Sequence, residues 1–190
     1  LVVESDESDG SFLKLAPILA VVTNIDREHL DHYSGIEEIR TAFASFIGKV
    51  PFYGASILCL DDENIQQILP SVNRRVITYG TSAQSDLRIT ESSVGHMASE
   101  FHLVFRDQDL GCFRLKVPGE HNVLNATAAV AVGMELGMPV DAIREAIVNF
   151  SGVDRRFQVK GCERGVTVID DYGHHPTEVR ATLRWLRLPR

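Results

Sequence analysis

The chain has 190 residues, 44% of them hydrophobic, 24% charged and 7% aromatic, a balance typical of a globular protein. A chain of this length buries roughly 70% of its unfolded surface, so it needs neither disulfides nor a structural metal to hold a core. Lys+Arg 19 against Asp+Glu 26 give a net charge of −7 without any basic cluster. That excludes a nucleic-acid-binding face while leaving phosphorylated small molecules open, because local groups hold those. The three cysteines, Cys59, Cys112 and Cys162, are scattered, show no CxxC spacing and fit a reducing, cytoplasmic setting. No segment reaches the ~18 apolar residues of a membrane span.

In chain order, Leu1–Glu4 reads as a strand buried on both faces, and Ile18–Thr23 reads the same way. A sequence that opens inside a strand, without a signal peptide, and stops at Trp185–Arg190 inside a helical pattern is expected to be part of a longer protein. Ile36–Phe46 places Ile36, Ile39, Ala42, Phe43 and Phe46 at helical spacing. Ala55–Leu60 is a third apolar strand, with Cys59 as a core residue. Asp61-Asp62-Glu63 then opens a helix that ends near Pro70, and Arg75–Tyr79 is a strand stopped by Gly80.

The pattern changes in the middle. Segments 85–94, 99–106 and 110–117 are strand-like with polar turns between them, an antiparallel β insert on a mostly parallel α/β body. Helices return at His121–Leu136, rich in Ala and Val and expected to be deeply packed, and at Pro139–Phe150, with Val140, Ile143, Ile147 and Phe150 on one side. Gly152 and the charged Asp154-Arg155-Arg156 mark a domain boundary, giving domains of 1–153 and 154–190. The second begins with short strands near 157–162 and 166–170 and a helix from Pro176.

Five polar clusters could carry chemistry. Glu4-Ser5-Asp6-Glu7-Ser8-Asp9 follows the first apolar run, and is either a solvated loop or a place for Mg²⁺, which prefers carboxylate oxygen. The next strand also ends in polar groups, Thr23-Asn24-Ile25-Asp26-Arg27-Glu28-His29, and two polar strand ends side by side favour a site. Asn122 and Asn125 share a helical face; they either cap the helix and fill the core, or read the edge of a nucleobase. Asp154-Arg155-Arg156 is either a surface charge run or a polyphosphate partner, since the arginine fork bonds two oxygens at once. The run from Asp170 to Glu178 holds two acids and two histidines and reads better as a ligand-facing loop between domains than as a metal site. There is no GxxxxGK[ST] loop, no GxSxG elbow and no HExxH motif, which removes serine-hydrolase and zincin readings.

Taken in order, Glu-Ser-Asp-Glu-Ser-Asp-Gly-Ser-Phe-Leu, Val-Thr-Asn-Ile-(x3)-His-Leu-Asp, Gly-Glu-His-Asn-Val-Leu-Asn-Ala, Arg-Arg-Phe and Asp-Asp-Tyr-Gly-His-His-Pro-Thr-Glu resemble the Mur ligases of peptidoglycan synthesis across essentially the whole chain. Within that family the likeness is greatest to the branch that adds alanine. The resemblance implies most of a P-loop-type central ATPase domain, without its first strand and phosphate loop, followed by the start of a Rossmann-like C-terminal domain. It implies ATP-dependent joining of L-alanine to UDP-N-acetylmuramate through an acyl phosphate, with ATP and Mg²⁺ as cofactors.

By the same resemblance, Glu4 and His29 correspond to Mg²⁺ ligands near the γ-phosphate, and the metal neutralises charge on the transferring phosphoryl group. His121, Asn122 and Asn125 correspond to adenine-binding positions. Arg156, with Arg155 beside it, corresponds to the arginine that reaches the nucleotide phosphates, and Asp171 to an acid on the ribose. Several family members carry a carbamylated lysine on the helix after the His-x-Asp motif. Here that stretch is Arg40-Thr41-Ala42-Phe43-Ala44, as in the alanine-adding branch, which leaves the ligands of a second metal unnamed. The rival readings are a ligase of the same family that recycles murein tripeptide, and a non-catalytic fragment. Without a phosphate loop, these 190 residues alone are expected to be inactive.

Overall fold

A computed structural model describes residues 1–27, 31–95, 98–174, 176, 179, 180, 182 and 183. Strands β1 (Leu19–Val22), β2 (Ala55–Cys59) and β3 (Val76–Gly80) pair in parallel, with Val21 opposite Ile57 and Ile57 opposite Ile77. Every residue of β2 is buried, as expected of a parallel strand covered on both faces. Helix α1 (Ile36–Gly48) connects β1 to β2, and α2 (Glu63–Ile68), extended by a 3₁₀ turn over Leu69–Ser71, connects β2 to β3.

The expected antiparallel insert is attached to the parallel body as a continuation of the same sheet. Strand β4 (Leu87–Val94) continues the same sheet, parallel to β3 through Tyr79 opposite Leu87, and β5 (Ser99–Phe105) and β6 (Gln108–Leu115) add to it antiparallel. The result is one six-stranded sheet in the order β1-β2-β3-β4-β5-β6. Phe101 and Phe113 carry its core outward, stacked with centroids 5.7 Å apart.

Helix α3 (Glu120–Glu135) packs on β2, β3 and β4 and buries Val123, Ala126, Thr127, Ala128, Val130 and Ala131. Its small side chains allow close approach to the sheet, in line with the deep packing expected of it. Helix α4 (Val140–Asn149) covers α3 and β6 with Ile143 and Ile147. Phe150 does not join that face: the backbone is already extended there (φ −69°, ψ 123°), which turns the ring away to 45% exposure.

The expected strand at Leu1–Glu4 is not formed; these residues are unpaired and Leu1 and Val2 are exposed. An apolar β-branched run becomes a strand only when a neighbouring edge accepts its backbone groups, and no such pairing reaches it here. Beyond Gly152, β7 (Gln158–Glu163) and β8 (Val166–Asp170) form a separate antiparallel hairpin. Arg164 and Gly165 link them with φ of 51° and 80°, the positive pair that a two-residue type I′ connection requires. The described residues Pro176, Val179, Arg180, Thr182 and Leu183 are helical, in line with the expected helix.

Candidate functional site

The acidic loop after Glu4 is folded on its own hydrogen bonds. Asp6 accepts from the Ser8 N–H (3.1 Å) and hydroxyl (2.6 Å), and Asp9 accepts from the Ser11 N–H (2.8 Å) at the start of a 3₁₀ turn, Ser11–Lys14. The Ser11 hydroxyl and N–H hold the Asp9 carboxyl below its ordinary pKa. Phe12 in that turn is buried between Phe43 and Phe46 of α1, with both centroids at 5.2 Å. The Tyr33 hydroxyl donates to the Glu7 carbonyl at 2.8 Å. One aromatic anchor and one long-range bond thus fix the loop that carries Glu4, whose own side chain is exposed. His29 lies outside the described residues.

The segment that leads to His29 is held from two helices. The Ile25 N–H donates to Asp62 (3.4 Å), which also caps α2 by accepting from the Ile65 N–H at 2.8 Å. Burial pushes the Asp62 carboxyl above its ordinary pKa, against the pull of these N–H groups. The Ile25 carbonyl accepts from the Asn64 amide at 2.5 Å, and Arg40 of α1 holds Asn64 in turn. The sequence reading missed Asn64 and Asp62 as organisers; their partners are 39 and 37 positions away, and no local pattern announces such pairs.

At the start of α3 the helix cap is Gly119, with no side-chain cap bond, so neither asparagine serves as N-cap. Asn122 is half-buried and its amide donates to the Pro118 carbonyl at 2.6 Å, while Asn125 and His121 are exposed. The reading of one cap plus one core amide therefore fails. What stands there is an oriented Asn122 side chain, one of its amide N–H groups committed to the chain, and two exposed polar neighbours.

The third group lies between residues 154 and 174. The Arg155 and Arg156 guanidinium carbons sit 4.9 and 5.7 Å from the Tyr172 ring centroid. The Asp171 carboxylate accepts the Phe157 N–H at 2.9 Å and the Gly173 N–H at 2.7 Å, and the Tyr172 N–H donates to the Arg155 carbonyl at 2.6 Å. Arg155 and Phe157 have φ of 62° and 51°, a left-handed backbone whose cost of about 1–3 kcal/mol per residue must be offset by such bonds. The structure thus brings Arg155, Arg156 and Asp171 together, with Tyr172 as a platform the sequence reading passed over. The signal was available, since an exposed aromatic amid Asp and His is unusual for a plain charge run.

Among the described residues, no group of three or more His, Cys, Asp and Glu side chains is arranged to hold a metal. Mg²⁺ commonly takes one or two protein carboxylates and completes its shell with water and phosphate, so an exposed Glu4 carboxylate on an anchored loop fits that chemistry. His175 and Glu178 lie outside the described residues. No helix among those described is long and apolar enough to cross a membrane.

Residues 2–133 match the Mur ligase middle domain, and residues 155–189 match the family described as Mur ligase, glutamate ligase domain. The chain belongs to the Mur ligase family. This Mur ligase chain is 67% identical over 183 residues to the UDP-N-acetylmuramate--L-alanine ligase of Solibacter usitatus, covering 96% of the chain and 39% of the relative. It is 56% identical over 189 residues to the protein of the same name in Pelobacter propionicus, covering 99% of the chain and 41% of that relative. The chain therefore spans about two-fifths of the length of the curated relatives it matches.

The fold agrees. The crystal structure of the UDP-N-acetylmuramate-alanine ligase of Thermotoga maritima superposes with a TM-score of 0.80 at 28% identity, over 96% of this Mur ligase chain and 41% of that one. MurF from Acinetobacter baumannii superposes with a TM-score of 0.83 at 25% identity, over 95% of the chain and 39% of that one.

Proposed function

We propose that this chain is the nucleotide-handling part of a cytoplasmic ligase that joins L-alanine to UDP-N-acetylmuramate. The observation that carries the reading is the 67% identity over 96% of the chain to a ligase of that name. ATP, when bound, supplies the phosphoryl group that converts the muramate carboxylate into an acyl phosphate, which the alanine amine then attacks. Residues 1–153 form the ATP-binding domain and 154–190 open the next one.

Within this reading each cluster has a separate task. Glu4, on the loop anchored by Phe12 and Tyr33, offers a carboxylate to Mg²⁺, for which His29 is the second ligand. Asn122, with His121 and Asn125, meets the adenine; one N–H of its amide is tied to Pro118, which leaves its carbonyl oxygen and its second N–H as the groups to offer. Arg156 and Arg155 meet the phosphates, where a planar fork suits oxygen pairs. Asp171 holds the arginine-bearing turn in place and turns its remaining lone pairs toward the ribose.

The test is Glu4→Ala in the full-length gene product, read as L-alanine-dependent ADP release at saturating Mg²⁺. The rate should drop by at least the roughly 10–100-fold that even an outer-shell partner of a metal site is worth. A rate within a few-fold of the unaltered enzyme would refute the metal assignment. The 190 residues alone, which contain no GxxxxGK[ST] segment, should release none.

A further inference from the structure

Away from these clusters, the outer face of the β5–β6 ribbon carries a second chemical constellation. Cys112 and His102 are register partners across the ladder, and the Cys112 sulfur lies 3.5 Å from His102 Nδ1. The opposite ring nitrogen, His102 Nε2, is 2.7 Å from Asp109 Oδ1. With the Nε2 proton directed at the carboxylate, Nδ1 is left as an acceptor facing the thiol. This is the order of nucleophile, base and orienting acid by which thiols are activated.

The arrangement depends on a β-bulge. Leu103 faces Gly111 but Val104 faces Asp109, so Leu110 is the extra residue. In an unbroken alternation Leu110 would point outward and Asp109 inward. The bulge lets Leu110 stay in the core while Asp109 emerges on the face of His102. Gly111 makes this possible with φ +77°, and its N–H donates to Asp109 Oδ1 at 2.7 Å. That bond and the contact with His102 hold the Asp109 carboxyl below its ordinary pKa, so it is ionised at neutral pH.

Helix α4 locks the bulge from the side. Arg144 donates through Nε to the Cys112 carbonyl (3.1 Å) and through a terminal nitrogen to the Leu110 carbonyl (2.6 Å), and its third arm pairs with Asp141. Cys112 is exposed at one wall of an open groove of about 530 Å³ between the ribbon and α4. The groove offers charges of both signs, Arg114 and Arg144 against Glu100, Asp141 and Glu145.

We propose that Cys112 is a modification site that undergoes thiol–disulfide exchange with small, charged disulfides, with His102 as its base and Asp109 orienting that base. His102 takes the Cys112 proton; the thiolate attacks one sulfur of the incoming disulfide. A new S–S bond forms as the old one breaks, and the departing thiolate takes the proton back from the imidazolium. One disulfide and one thiol become a mixed disulfide and one released thiol, and nothing else is consumed. The mixed-charge groove suits a zwitterionic thiol compound rather than an apolar one.

Oxidised glutathione is the probe, and the chain carries its own control in Cys162, which is exposed and has no such partners among the described residues. Mass spectrometry of timed digests at pH 7 should show the glutathionyl adduct forming on Cys112 at least about tenfold faster than on Cys162, because a positioned base takes the proton as the sulfur attacks. His102→Gln should bring Cys112 down to the rate of Cys162, and Asp109→Asn should fall between. A native far-UV circular dichroism spectrum shows that each variant is folded. Equal rates at the two cysteines, or a Cys112 rate indifferent to His102→Gln in a folded variant, would overturn the proposal.

Discussion

Arg40 and Asn64 join the two helices that flank the end of β1: Arg40 Nε and a terminal nitrogen both donate to the Asn64 Oδ1, at 3.0 and 2.6 Å. Asn64 passes this order on, donating its amide to the Ile25 carbonyl at 2.5 Å, and Glu37 pairs with the remaining arm of Arg40. The backbone that leads to His29 is thus held by side chains from α1 and α2 rather than by strand pairing. Asn64→Ala leaves the Ile25 carbonyl and the Arg40 fork without their partner. It should cost about 1–3 kcal/mol in urea unfolding, the penalty for stranding half-buried polar groups. Arg40→Lys should cost part of that, because an ammonium cannot present two parallel donors to one amide oxygen.

The ends of β2 and β3 meet through Asp61, which accepts the Thr81 N–H at 2.8 Å and the Thr81 hydroxyl at 3.0 Å. Gly80 precedes that contact with φ +147°, and a Cβ there would lie 2.4 Å from Asp61 Oδ1. Gly80→Ala must both strain the backbone and displace the carboxylate. It should destabilise the fold by about 2–3 kcal/mol, read as a lowered denaturant midpoint with an unchanged slope.

Acid should weaken the fold in a defined window. Glu38 accepts the Ser34 N–H and hydroxyl, both at 2.8 Å, ahead of α1, and these bonds hold its carboxyl below the ordinary value. Asp9 and Asp109 are depressed by their own N–H and side-chain donors. For each group the unfolded chain takes up the proton at a higher pH than the folded one. The stability they supply is complete above the usual carboxylate range, near 4, and is lost as pH falls through the depressed values. Melting temperature should therefore decline below about pH 5, and Glu38→Gln should flatten that decline while lowering Tm at neutral pH.

Asp171 spans the turn that carries Arg155 and Arg156 and the loop that carries Tyr172. Asp171→Ala removes both acceptors and releases two left-handed residues. In the full-length gene product it should raise KM for ATP by about tenfold or more, equivalent to the 1.5–3 kcal/mol of a charged hydrogen bond. Asp171→Asn keeps one acceptor oxygen and should give a smaller rise. An unchanged KM in Asp171→Ala would mean that the turn holds its shape without the carboxylate.

What the sequence disclosed was what local periodicity can encode. The uninterrupted apolar runs at 19–22, 55–59 and 76–80 are strands, and the 3.6-residue rhythm after Ile36 is a helix. Leu1–Glu4 has the same apolar rhythm but no neighbour to bond, and the rhythm alone does not distinguish the two cases. Three strands were legible between 85 and 117, yet their union with the parallel sheet through Tyr79 and Leu87 was not, because pairing across strands leaves no local trace. The same holds for the candidate site. Asn122, Asp171 and the two arginines stood out as polar residues in apolar or turn surroundings, whereas the ties that position them, from Pro118, Phe157 and Tyr172, required the folded backbone. Asn64 acts on Ile25 across 39 positions and the bulge at Leu110 acts on His102 through a cross-strand neighbour, so neither was visible in one dimension.

The most direct measurement is ADP release by the full-length gene product, supplied with ATP, Mg²⁺ and UDP-N-acetylmuramate, as a function of the amine donor. The account predicts release that depends on L-alanine and produces an amide of the muramate carboxylate. Release driven by murein tripeptide as the amine donor, and indifferent to L-alanine, would contradict it and place the chain in the recycling branch of the family. No release with either donor would contradict the catalytic reading itself.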